Sequence, residues 1–519
     1  MKKTSLSLMV SLILVTGCGS DSNSNNSSNG STTNAGVSLP VIQGSAIGSA
    51  TFYSTVPEEF AVEGIDRYVK LTPRSNVSRS SRSSSSEPAI NIIAADDGVG
   101  GEKIRRAVMI MQHLLTDYAG STYGADKTSI AASMAERNAT LMLTANDEDN
   151  EALMMRLFVK EAFRQGQLES WVSASGASTL AGLDFSSENT FIESFNEYSD
   201  KQTEDDAEKV TSSFIEGVYK SAQTPQWLIN SQALMYRELT LDGDCHYMSK
   251  YANYCADLGV NADRDAGYEE ILHIVQAQGI APNDNYKALQ RDIDNRALNI
   301  YNNSEDIWKP EKSTWDDWIS DDVNSDVIGT TYSHEYLAAA FEAYMGVSKH
   351  NGAGLDGYKA LTRDEMKAQD PDAEGWISEL FHDYLQYTAR IDSTGVSTFH
   401  RNQFPGSSDT PTFKMNLDDA VAGEEYTSKS QWLLNAKIIG NDTINLTAND
   451  QDNTLEGNEK DNVIDGKAGS DNYVVDADYA DCTRVEAQVN SFIVECPSQG
   501  TDTLINMEKV TFKDRTLQI

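Results

Sequence analysis

The stretch GYEEILHIVQ at 267–276 carries Glu269 and His273 four residues apart, with Glu270 between them. On a helix, positions i and i+4 share a face, so both side chains can reach one ion. The residue at i+1 can then address a water bound to that ion and take its proton. This is the pattern of a zinc-binding H-E-x-x-H helix, with glutamate at the first ligand position. Carboxylate oxygen can ligate zinc. It is a harder donor than imidazole and adds negative charge, so it weakens the acidification of the water and broadens the choice of metal. The chemistry on offer is metal-assisted hydrolysis, with Glu269 and His273 as metal ligands and Glu270 as the catalytic base. Tyr268, Leu272 and Val275 are placed to pack such a helix on a core.

A site of this kind needs a third ligand from a later helix. The run TYSHEYLAAAFEAYMG at 331–346 offers Glu335, with Tyr336, Leu337, Ala340, Phe341 and Tyr344 as its apolar face. The string E-Y-L-A-A-A-F resembles the third-ligand helix of lethal-factor-like zinc metallopeptidases. The order also resembles that family: an x-E-x-x-H helix, then this segment tens of residues later. The resemblance implies a zinc ion held by His273 and Glu335, Glu270 as base, and a peptide or protein substrate. Tyr332 is a candidate oxyanion donor, although its spacing from Glu335 is not the family's. The sequence departs from the family where the first histidine is Glu269, and no H-E-x-x-H occurs anywhere. Two functions therefore stay open: a zinc peptidase acting with a glutamate ligand, and a non-catalytic calcium-binding surface lipoprotein or adhesin.

The elements that must hold these side chains read as helices. From Gly101 the apolar period becomes 3.6, with Ile104, Ala107, Val108, Met111, Leu114, Leu115 and Tyr118 on one face. Further helical runs fall at about 147–163, 191–220, 225–238, 264–279, 284–301, 334–346 and 373–390. The expected fold is multidomain: a large, mainly α, metallopeptidase-like domain over 100–436 followed by a C-terminal parallel β-roll over 437–519. Residues 37–99 read as a small strand-containing region ending in a Ser/Arg linker, RSNVSRSSRSSSSEP at 74–88.

The roll rests on four nine-residue units from Gly440 to Val475: GNDTINLTA, NDQDNTLEG, NEKDNVIDG and KAGSDNYVV. These resemble the calcium-binding nonapeptide repeats of RTX proteins, and the tail at 500–519 resembles the segment that closes such rolls. The resemblance implies Ca²⁺ shared between stacked turns, with Asp452, Asp461, Asp465 and Asp471 as side-chain ligands. Leu455, Ile464 and Tyr473 are the expected inward residues. From Gly440 onward the chain holds 16 acids and 6 bases, so a divalent ion would relieve repulsion there.

The N-terminus reads as targeting. Lys2 and Lys3 precede a short apolar run, Leu6 to Val15, which ends in Val15-Thr16-Gly17-Cys18. This resembles a bacterial lipobox and implies a signal peptide over 1–17, lipidation of Cys18, a polar tether over 18–36, and anchoring at the outer membrane or cell surface. Cys245 with Cys255, and Cys482 with Cys496, form two close pairs suited to disulfides in an exported protein. With 79 acids against 41 bases the net charge is −38, which disfavours nucleic acid as a partner. No phosphate-binding glycine loop or dinucleotide fingerprint is present, so no nucleotide is expected, and no G-x-S-x-G elbow supports serine hydrolysis.

Overall fold

The computed structural model describes residues 36–39, 41–74, 88–98, 101–239, 266–322, 329–345, 354–382, 390–391, 397–399, 435–438, 443, 445–448, 452–497 and 499–519. Cys18 with its signal peptide and tether to residue 35, most of the Ser/Arg linker, and the Cys245–Cys255 pair lie outside the described residues.

Six strands form one mixed sheet in chain order: β1 (Val37–Leu39), β2 (Ile47–Tyr53), β3 (Arg67–Pro73), β4 (Ile90–Ala94), β5 (Thr140–Thr144) and β6 (Ser231–Met235). The first four run antiparallel. β4, β5 and β6 run parallel, because helical crossovers separate them. Alternate residues along a strand face opposite sides. Ile90, Ile92, Leu141, Leu143 and Leu234 enter one hydrophobic core; Tyr68, Ile93 and Met142 enter a second. A sheet buried on both faces needs a helical layer on each.

On the first face lie α1 (Glu102–Leu114) and α2 (Thr128–Glu136). The second face is covered by α3 (Asp147–Arg164), α4 (Leu168–Ser173), α5 (Glu188–Lys201), α6 (Glu204–Lys220) and α7 (Gln226–Ile229). The chain then returns to the first face with α8 (Gly267–Val275), α9 (Lys287–Asn303), α10 (Lys312–Asp322), α11 (Thr331–Met345), α12 (Arg363–Gln369) and α13 (Pro371–Leu380).

The boundary expected at residue 99 falls inside this sheet, since β4 pairs with β5 through Ile92 and Leu141. Residues 37–98 therefore supply four strands of the domain that carries the helices. The domain is also less purely helical than its sequence period indicates. TLMLT at 140–144 is buried along its whole length, so it shows no alternation to read. Residues 225–238, expected as one helix, divide into α7, β6 and a 3₁₀ turn, Tyr236–Glu238.

α11 is buried almost all round and is pinned from behind by a polar knot. Asp370, fully buried, accepts the Tyr336 and Tyr358 hydroxyls at 2.7 and 2.8 Å and faces Arg296 at 3.1 Å. Arg296 also holds Glu305 at 2.7 Å. Removing one partner from a buried ion pair strands the other, at a cost of roughly 3–5 kcal/mol. Asp370→Ala should show that loss in denaturant unfolding, while Asp370→Asn should lose less because it keeps an acceptor for one tyrosine.

Near the C-terminus the strands shorten. β7 (Arg390–Ile391), β8 (Ser397–Phe399), β9 (Asn435–Ile438), β11 (Thr454–Glu456), β13 (Asn472–Val474), β17 (Lys509–Thr511) and β18 (Thr516–Gln518) share one sheet. β10 (Leu446–Thr447), β12 (Val463–Asp465), β14 (Arg484–Gln488), β15 (Ser491–Cys496) and β16 (Gly500–Ile505) share another. Parallel partners in the repeats stand two nonapeptides apart: Leu446 beside Ile464, and Leu455 beside Tyr473. Successive units thus alternate between the two sheets, and both sheets also contain antiparallel pairs. Leu455, Ile464 and Tyr473 are fully buried in the shared core. Cys482 and Cys496 form a disulfide, joining the start of β14 to the end of β15.

Candidate metal centre

α8 is short and almost wholly buried. Glu269 and Glu270 lie in its first turn, where carboxylates oppose the helix dipole, and His273 lies in its last turn, where a cation does so. It ends in a π-turn, Gln276–Ile280, marked by the Ala281 amide bonding the Gln276 carbonyl at 2.8 Å. Such turns relax the helical register at functional sites. The turn docks on α2, where Ser133 Oγ donates to the Gln278 carbonyl at 2.9 Å and Arg137 Nε to Gln278 Oε1 at 2.8 Å. A Cβ on Gly279 would stand 2.5 Å from Ile130, so the close approach requires glycine. On the other side, Tyr268 Oη meets His113 Nδ1 of α1 at 2.8 Å.

These contacts aim α8 at α11. One ligand atom each of Glu269, His273 and Glu335 lies within 4.8 Å of the other two. Among the described residues this is the one group of three or more His, Cys, Asp or Glu side chains that converges so closely. Glu269 and His273 are buried, and Glu335 is partly open. His273 Nε2 faces Glu335 Oε2 at 3.8 Å, and it is buried without a hydrogen-bond partner. Burial alone would push the His273 imidazole down, but Glu335, Glu270 and Glu269 outweigh it and carry it up to about 10. A metal-free centre therefore holds His273 as a cation among three carboxylates. An incoming metal must displace that proton.

Glu270, the expected base, lies on the opposite edge of the ring. Its Oε2 is 3.5 Å from His273 Nδ1 and accepts from Gln232 Nε2 of β6 at 2.9 Å. A carboxylate on the far nitrogen of a ligating histidine fixes its tautomer and orientation. Gln232 has no motif to announce it. It stands on β6 two residues before inward-facing Leu234, a register the sequence does not display. Tyr332, in the first turn of α11, packs in the apolar core.

The four repeat aspartates do not gather three together. Asp452 and Asp461 are exposed and accept the Ser470 and Thr501 amides, each at 2.8 Å. Asp465 accepts the Lys467 amide at 3.0 Å and Asn506 Nδ2 at 2.8 Å. The buried polar position of each unit lies one residue after Asp452 and Asp461, at Asn453 and Asn462, and continues through Asp471 and Asp502. The shared pattern of Asn or Asp two residues before an inward Leu455, Ile464, Tyr473 or Leu504 was the signal for this register. A neutral amide both donates and accepts, so it can be buried without a counter-charge. Asp471 differs: Oδ1 accepts the Asn453 amide at 2.7 Å, whereas Oδ2 is buried with no partner. Burial and the charges of Glu508, Asp452 and Asp465 push its carboxyl up to about 7 against the Asn453 bond. That orphaned oxygen is where this region suits a cation.

Comparison with family models, with curated proteins and with solved structures found no match for this chain.

Proposed function

We propose that this protein is a surface-anchored calcium-binding lipoprotein whose helical domain is a divergent zinc-metallopeptidase-like hydrolase of peptide bonds. The observation that carries the enzymatic half is the convergence of Glu269, His273 and Glu335 within 4.8 Å. The likeness of E-Y-L-A-A-A-F to the third-ligand helix of lethal-factor-like peptidases supports it. Zinc bound by these three side chains would polarise a peptide carbonyl and acidify a water. The chain's own contribution is to fix the His273 ring between Glu270 and Glu335 and to keep Glu269 out of bulk water.

Equilibrium dialysis of the full chain against zinc, followed by digestion of a mixed peptide pool, tests this reading. About one zinc per chain and metal-dependent cleavage are expected. Glu270→Gln should keep the metal and lower kcat by about 10²–10⁴-fold if Glu270 works as the base. A chain that takes up no transition metal ends the hydrolase reading.

The contact of Glu270 with the Nδ1 edge of His273 favours a second reading, a metal-binding adhesin in which Glu270 only orients the ring. In that case zinc binds, and neither the parent nor Glu270→Gln cleaves peptide.

For the C-terminal region we read the alternating nonapeptides as an RTX-like β-roll with Ca²⁺ near Asp471. The parallel pairing of units two repeats apart and the orphaned Asp471 Oδ2 support this. Among the described residues no helix is long and apolar enough to cross a membrane; anchoring through Cys18 rests on the lipobox resemblance alone.

A further inference from the structure

Three acids surround His273, and they do not share one task. Glu335 faces its Nε2 at 3.8 Å, and Glu269 joins the same converging group. Glu270 stands outside that group, 3.5 Å from Nδ1 on the other edge of the ring. Helical spacing alone does not keep it there. Glu270 and His273 are three residues apart on α8, close enough to meet, but the Glu270 side chain is 21 % exposed, so water competes for its carboxylate. A second contact on the same oxygen comes from the sheet: Gln232 Nε2 donates to Glu270 Oε2 at 2.9 Å.

Strand register explains why Gln232 is available. On β6, Leu234 enters the core that holds Ile271 and Leu272 of α8, whereas Ala233 packs on the opposite core. Gln232 stands two residues from Leu234 and shares its face, so β6, the last strand of its sheet, presents this amide to α8. A carboxylate oxygen can only accept, so the amide turns its NH₂ towards it. A neutral donor holds the carboxylate without discharging it. An Arg or Lys in its place would form an ion pair and compete with the imidazole for the charge. We infer that Gln232 is a positioning residue of the metal centre. It holds Glu270 against His273 Nδ1, Glu270 fixes the ring, and the ring then offers Nε2 to an ion shared with Glu269 and Glu335. This rests on the metal site proposed above and adds the residue that orients its proposed nitrogen ligand. The site is thereby referenced to the central sheet and not to α8 alone. Without Gln232 the Glu270 carboxylate turns to water, and the ring loses its outer partner.

The test reads the outer nitrogen of the ring. The full chain is loaded with Cu²⁺ as a probe. Pulsed electron paramagnetic resonance then measures the quadrupole coupling of the non-coordinated imidazole nitrogen, which responds to hydrogen bonding there. Gln232→Met keeps the length of the side chain and removes the donor. It should shift this coupling and lower zinc affinity, measured against a chromophoric chelator, by about 10-fold, the lower end of the range for an outer partner of a metal ligand. Glu270→Ala should lower it by about 10- to 100-fold. Because Gln232 acts through Glu270, Gln232→Met should cause no further loss in the Glu270→Ala background, whereas a purely structural role gives the same loss in both. An unchanged coupling, or an unchanged zinc affinity, in Gln232→Met overturns the inference and leaves the three-ligand site standing. Equal losses with and without Glu270 overturn it as well. A parent that takes up neither Cu²⁺ nor Zn²⁺ removes the metal site, and this role with it. If thermal unfolding of the metal-free protein shows that Gln232→Met does not fold, Gln232→Leu, which also lacks the donor, is read against the same outcomes.

Discussion

His273→Ala is expected to weaken metal binding by the helical domain, lowering zinc affinity by about a hundredfold. A four-ligand protein zinc site is worth roughly 10–16 kcal/mol, so one imidazole accounts for roughly 3 kcal/mol, or about two orders of magnitude. Glu269→His should act in the opposite sense. It recreates H-E-x-x-H, exchanges a carboxylate for an imidazole, and should tighten zinc by about tenfold or more while narrowing selectivity towards it. The pH dependence has a definite sign. His273 sits at about 10 in the metal-free protein and must lose its proton to ligate. Below that pH each unit of acidification should cost about tenfold in affinity. Competition with a chelator at pH 6, 7 and 8 reads all three effects; an affinity independent of pH, or unchanged in His273→Ala, would mean that His273 is not a ligand.

The centre was legible in the sequence because helical spacing is rigid. The spacing of four positions from Glu269 to His273 fixes their common face, and the E-Y-L-A-A-A-F run announces a buried partner helix. What positions them was not legible. Gln232 lies on β6, whose SQALM carries too few β-branched or aromatic residues to read as a strand, and the segment passes for the continuation of α7. β5 is hidden for the opposite reason, being buried throughout. With both strands hidden, β1 to β4 look like a separate small region, since a sheet is built from pairings that local sequence does not encode. Asp370 is illegible for the same reason: its partners Tyr336, Tyr358 and Arg296 come from three different segments. In the repeats the nine-residue period is plain and the apolar positions it marks are the buried ones. The polar register reads one residue early because Asp452 and Asp461 carry charge and Asn453 and Asn462 do not. Burial selected the neutral pair.

That selection leaves two carboxyl groups inside the C-terminal core, and they should make its stability strongly pH-dependent when calcium is absent. Asp502, fully buried, accepts the Tyr473 hydroxyl and the Asn462 amide, the latter at 2.9 Å. Burial raises its carboxyl and Asp461 raises it further; the two hydrogen bonds oppose this, and it comes to about 7. Asp471 also stands at about 7. In the unfolded chain both return to about 4. Between those values the folded state holds more protons than the unfolded one, so stability falls as pH rises. The favourable contribution is complete below about pH 4 and is lost as pH climbs through 7, on the order of 4 kcal/mol for each group at most. Calcium bound at Asp471, as proposed above, would reverse the trend there, because it would replace the proton as partner of Oδ2. In chelator, amide hydrogen exchange across β11 to β13, corrected for the intrinsic pH dependence of exchange, should therefore report greater stability at pH 5 than at pH 8. Added calcium should restore protection at pH 8 and do little at pH 5. Asp502→Asn keeps an acceptor for Tyr473 and should remove about half of the pH dependence without touching the calcium response, whereas Asp471→Asn should remove both. Corrected protection that does not change between pH 5 and pH 8 in chelator would show that neither carboxyl is held protonated in the folded core, and that the two acids are neutralised by something other than a proton or an ion.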